Sequence, residues 1–146
     1  MLVVDTSVTL AWCFSNEVTP FTSGVLRDVG VGGMVVPAHW LLEVTNVAGG
    51  QERRGRLAPE QRSRFFGLLR QLRVAQKIRL EALDEGLVFG SVWDLSQRHG
   101  LTTYDAAYLE LARRRGLALA TLDRELREAA RREGVPLAGP VQTAQG

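Results

Sequence analysis

Short apolar runs alternate along this chain with longer stretches whose apolar residues recur at helical spacing. Residues 2–5 (LVVD) and the run MVV at 34–36 read as buried strands. LTT at 101–103, LALAT at 117–121 and VPLA at 135–138 read as later strands, and VAQKIRL at 74–80 as a weaker one because Ala and Gln interrupt it. Between them the spacing predicts helices. The first is capped by Ser7 and runs to about Phe14; the others span about 19–29, 38–49, 59–73, 83–99, 104–115 and 125–132. Trp40, Leu41, Val44 and Val47 are the apolar positions of one helix. Phe65, Leu68, Leu69 and Leu72 form the greasy face of the next, opposite an arginine-rich face. Pro37 stops a strand, Pro59 opens a helix, and Gly100 and Gly116 end helices.

This alternation argues an α/β fold: a three-layer α/β/α sandwich around a mostly parallel central sheet. The chain has 146 residues, 45% of them hydrophobic, which suits a single domain over 1–140 with a short tail at 141–146. The opening MLVVDTSV has no charged leader and reads as a strand rather than a signal peptide. No apolar run approaches the ~20 residues a membrane span needs. A single cysteine, Cys13, excludes an internal disulfide framework and, with only 2 histidines, disfavours structural zinc. These features point to a cytoplasmic setting. Cys13 and Trp12 are expected in the core or an interface, and Trp12, Phe14 and Phe21 are more apolar than an exposed surface favours.

The net charge is only +2, but arginine is laid out unevenly: 7 arginines against 2 acids lie between Gln51 and Arg73. Guanidinium groups pair well with phosphates, so this excess suits an anionic partner, with Arg53, Arg54 and Arg56 as the contact candidates.

Four carboxylates change the picture most. Asp5 ends the first apolar run, Glu43 lies within an apolar helical pattern, Asp105 follows LTT, and Asp123 closes LALAT. Acids at the carboxyl ends of adjacent parallel strands share one crevice. A like-charge pair at ~4 Å costs about 4 kcal/mol at an effective dielectric of ~20, and a hard divalent cation relieves that cost. The set therefore suggests a Mg²⁺ or Mn²⁺ site for phosphodiester chemistry. Each acid also has a plainer reading: Asp5 and Asp123 as helix caps, Asp105 as a first-turn acid, Glu43 as a solvated helix residue. Thr6 or Ser7 could cap in place of Asp5, and Ser7 could orient a water. Asn46, three residues after Glu43, could hold it or a phosphate, and Thr121 could donate to a metal-bound water. His39, four residues before Glu43, could approach the site but reads first as a packing residue.

The blocks VVDTSV, PAHWLLEVTNV, LTTYDAAYLELA and ATLDREL, in this order, resemble those of PIN-domain ribonucleases, specifically the VapC-type toxins of toxin–antitoxin pairs. The resemblance implies Asp5, Glu43, Asp105 and Asp123 as the catalytic metal-binding acids, with Thr6, Ser7, Asn46 and Thr121 supporting. It implies RNA cleavage to 5′-phosphate and 3′-hydroxyl ends, a homodimer, and inhibition by a small antitoxin. Two readings stand beside it: a non-catalytic PIN-fold RNA-binding protein, and a DNA-directed nuclease. A phosphorylated receiver is disfavoured, since Asp5 stands alone and Lys77 is the only lysine.

Overall fold

The computed structural model describes residues 1–139. The tail expected at 141–146 lies outside the described residues. Four parallel strands form the sheet: β1 (Leu2–Val4), β2 (Met34–Pro37), β3 (Ile78–Glu81) and β4 (Ala118–Ala120), in the order β3-β2-β1-β4. Val3, Val4, Met34, Val36, Leu119 and Ala120 are fully buried, as strands covered on both faces require. Helices α1 (Thr6–Ala11), α2 (Pro20–Gly32), α3 (Trp40–Arg53), α4 (Pro59–Val74), α5 (Glu85–Leu87), α6 (Trp93–His99), α7 (Thr103–Arg115) and α8 (Arg124–Arg132) accompany the sheet. The result is the expected sandwich.

Helix α7 packs against β1, β2 and β4. Its run Ala106–Ala112 is buried at every position, and the alanines let the helix lie close to the sheet. That approach carries the first turn of α7, with Asp105, toward the strand ends. Glu110 is buried on this helix and is satisfied by Arg114, whose Nε donates to Oε1 at 2.7 Å.

Some local expectations are corrected. LTT is not a strand: only Leu101 is buried, and the Thr102 hydroxyl accepts the Asp105 amide at 3.1 Å as the N-cap of α7. A threonine able to satisfy a helix start outcompetes a run with one apolar residue. The α1 cap is Asp5, not Ser7. VPLA is reduced to one parallel bridge, Leu137 with Leu119, because Pro136 has no amide to donate to a ladder. The helix expected over 83–99 starts at Glu85, capped by Asp84, and holds a π-helical segment, Val88–Val92, before α6. Trp12, Phe14 and Phe21 are half-buried in their own domain rather than exposed, and the Trp12 indole donates to the Thr22 carbonyl at 2.9 Å. Cys13 is buried and free, and burial pushes its thiol up to about 11. No helix among the described residues is long and apolar enough to cross a membrane.

Candidate active site

The strand order places β2 on one side of β1 and β4 on the other. The chain direction across the sheet reverses there, and the crevice beyond the carboxyl ends of such strands is where parallel sheets bind ligands. Asp5 sits at that point. Its amide donates to the Ala120 carbonyl at 3.1 Å, tying the residue after β1 to the end of β4.

The Asp5 side chain is 3% exposed and heavily bonded. Oδ1 accepts from the Val8 amide at 3.2 Å and from the Ser7 hydroxyl at 2.6 Å, and Oδ2 accepts from the Thr121 hydroxyl. Burial raises its pKa to about 6, even though these hydrogen bonds pull the other way. Ser7 also accepts the Leu122 amide at 2.9 Å. Its hydroxyl therefore links Asp5 to the loop after β4 rather than capping α1. Thr121 spends its proton on Asp5 and accepts the Asp123 amide at 3.0 Å. That proton is committed to Asp5, contrary to the expected role toward a water. Asp123 caps α8 by accepting the Leu126 amide at 2.8 Å.

Glu43 arrives from the first turn of α3. Its Oε1 accepts from the Tyr108 hydroxyl at 2.8 Å and the Thr6 hydroxyl at 3.3 Å, and His39 Nε2 lies 2.9 Å away. The imidazole approach is too oblique for an aligned N–H···O bond, and both His39 ring nitrogens are buried without an aligned partner among the described residues. Burial pushes the Glu43 pKa up, but the contacts from His39, Tyr108 and Thr6 outweigh it and hold the carboxyl below its ordinary value. His39 packs between Tyr104 and Tyr108, with ring centroids 5.6 and 5.1 Å away. Tyr108 is fully buried and was not a sequence candidate; its signal was its place three residues after Asp105, on the same helical face. Asn46 does not brace Glu43: it is exposed on α3 and makes no bond to it among the described residues.

Asp105 is half-buried in the first turn of α7. Burial raises its pKa, and the negative charges of Asp123 and Glu43 raise it further. Asp5 in turn feels Asp105. The four predicted acids thus share one electrostatic neighbourhood drawn from four separate elements. Among the described residues, however, no three His, Cys, Asp or Glu side chains gather closely enough to hold one metal ion. What fits a hard divalent cation is the donor chemistry, all carboxylate oxygen with mutual repulsion at Asp105 that Thr102 and His39 only partly offset.

A groove of about 810 Å³ runs beside the acids, lined by Thr6, Ser7, Phe14, Gln51, Arg56 and Leu122 among others. Of the three arginine candidates, Arg56 lines it. Arg53 and Arg54 sit exposed at the end of α3.

Residues 2–132 match the family described as the PIN domain. A stretch of 86 residues is 37% identical to Ribonuclease VapC3 of Pyrobaculum aerophilum, covering 59% of this chain and 63% of that protein. The chain thus spans less than two thirds of that relative's length. In fold it is similar to FitAcB from Neisseria gonorrhoeae, with a TM-score of 0.66 at 16% identity over 96% of this chain and 98% of the other. It is also similar to a chain of a toxin–antitoxin complex from Klebsiella pneumoniae, with a TM-score of 0.52 at 16% identity over 84% and 87% of the two chains. At such identities the two structures speak for the fold alone, whereas the match over residues 2–132 reaches from β1 through α8 and includes all four acids: the chain belongs to the PIN domain family.

Proposed function

We propose that the protein is a divalent-metal-dependent endoribonuclease, a toxin restrained by a cognate antitoxin. One observation carries the reading: in a PIN-family chain, Asp5, Glu43, Asp105 and Asp123 come from four separate elements yet lie close enough that Asp105 feels Asp123 and Glu43, and Asp5 feels Asp105. Repulsion of this kind costs stability unless a cation or a substrate role offsets it. Asp5 and Asp105 would hold Mg²⁺ or Mn²⁺, with Glu43 and Asp123 completing the set directly or through water. Bound there, the ion would supply Lewis acidity, offsetting charge on the phosphate and easing deprotonation of the attacking water. Thr121 and Ser7 fix the Asp5 carboxylate, and the Asp123 cap fixes its own. Arg56 in the groove would pair with a backbone phosphate. The expected products are a 5′-phosphate and a 3′-hydroxyl.

Partner and assembly rest on the family. Similarity to a ribonuclease VapC and to a chain from a toxin–antitoxin complex supports a small protein antitoxin. A homodimer in a cytoplasmic setting is part of the same proposal. Substrate class is tested by offering single-stranded RNA and DNA of one sequence, each end-labelled, in Mn²⁺. Cleavage of RNA with 5′-phosphate products supports the reading. Equal cutting of both strands would favour a general nuclease, and binding without cutting a non-catalytic role.

A further inference from the structure

Glu43 is held unevenly. Tyr108, Thr6 and His39 all contact the same atom, Oε1, while Oε2 accepts no hydrogen bond among the described residues. Tyr108 is fully buried, its hydroxyl also lies 3.0 Å from Thr6 Oγ1, and His39 is wedged between two tyrosine rings. A carboxylate gripped through one oxygen loses its rotational freedom and offers the other.

We infer that Tyr108 and His39 are positioning residues that lock Glu43 by Oε1 so that Oε2 is the oxygen presented to a divalent cation. The inference rests on the metal reading above and deepens it. It assigns work to two residues outside the acid set, one of them 65 positions from Glu43 in the chain. Outer groups that orient a ligand typically contribute 10–100-fold to metal affinity.

The test is Mn²⁺ binding, read by the electron paramagnetic resonance signal of the free ion, on purified full chain without RNA. Tyr108→Phe keeps the ring packing and removes the donor. Its Mn²⁺ dissociation constant should rise about tenfold, with the circular dichroism spectrum unchanged. His39→Asn should move the constant in the same direction. Tyr104→Phe should leave it unchanged, since Tyr104 touches His39 but not Glu43. Should Tyr108→Phe fail to fold, His39→Asn with Thr6→Val carries the test. Glu43→Gln separates the two levels of the claim. If Glu43→Gln weakens binding and Tyr108→Phe with His39→Asn does not, the positioning role is overturned and the metal site stands. If wild type binds no Mn²⁺, or Glu43→Gln binds as tightly as wild type, the metal reading at Glu43 fails and the positioning role falls with it.

Discussion

The Asp5 carboxylate caps α1 through Oδ1 and accepts the Thr121 hydroxyl, just beyond β4, through Oδ2. That double duty makes it pH-sensitive. Its folded pKa, about 6, lies above the ordinary 3.8, so between these values the folded chain holds a proton that the unfolded chain has released. Stability from this group is full below about pH 4 and is lost as pH rises through 6, on the order of 3 kcal/mol if the whole shift is realised. Glu43, whose pKa is lowered, contributes with the opposite sign and loses its contribution as pH falls below its ordinary value of 4.5. Urea melts in EDTA from pH 4 to 7, of wild type against Asp5→Asn, isolate the Asp5 term: the difference should shift in favour of the variant as pH rises. A difference that stays flat would remove the buried-charge account of Asp5. Asp105→Asn relieves the repulsion from Asp123 and Glu43, which outweighs the contacts from Thr102 and His39 that act the other way, and should melt roughly 2–4 °C higher than wild type in EDTA. An unchanged or lower midpoint would mean the acids do not strain one another. The four acids were readable in the sequence because each interrupts or ends an apolar run. His39 was readable only as a residue that could approach Glu43 at helical spacing; Tyr108 was not, because its role depends on α7 reaching Glu43 on α3, which no local pattern encodes.

Helix ends show where local rules suffice. Gly100 and Gly116 were expected to end helices, and both adopt left-handed backbone with φ of 63°. The end of α4 makes the same kind of closure without glycine: the Gln76 amide donates to the Arg73 carbonyl at 3.0 Å, the Lys77 amide donates to the Leu72 carbonyl at 2.7 Å, and Gln76 takes φ of 58°. Gln76→Gly should therefore stabilise the protein by up to about 1 kcal/mol, and Gly116→Ala should destabilise it by about 1 kcal/mol. Chemical denaturation of both variants checks the pair; the same sign for both would contradict the backbone argument. LTT and VPLA were misread as strands for related reasons. A capping threonine and a proline each remove what a strand needs, and a period-two scan does not weigh them. Arginine composition was also too coarse at this scale. Arg53, Arg54 and Arg56 are neighbours in sequence, but only Arg56 lines the groove. In a catalytically disabled background, Arg56→Ser should weaken RNA binding and flatten its salt dependence more than Arg53→Ser does. Equal effects would move the RNA path off the groove.

At the scale of the whole molecule, the sheet order makes the site. With β4 beside β1, Asp5 and Asp123 follow adjacent strands, and α7 packing on the sheet brings Asp105 toward them. Strand alternation made the layered fold legible; the strand order, set by how the helices cover the sheet, had no local signature. Assembly is argued at this scale too. Leu42, Phe89 and Trp93 are among the exposed large apolar side chains, rather than the half-buried Trp12, Phe14 and Phe21 that the sequence suggested. Light scattering at micromolar concentration should give a dimer of twice the 16.1 kDa chain mass; a monomer cutting RNA at full rate would contradict the proposed homodimer. The central claim is that four acids from separate elements act as one metal-dependent centre. Its most direct test is the initial rate of 5′-phosphate product formation from synthetic RNA by wild type and Asp105→Asn, purified side by side, in Mn²⁺ and in EDTA. The account predicts cleavage by wild type in Mn²⁺ alone, and a loss of at least about a hundredfold in the variant, of the order expected for removing a charge-stabilising group from the reacting centre, with its fold intact. Equal rates for the two proteins, or wild-type cleavage undiminished in EDTA, would contradict it.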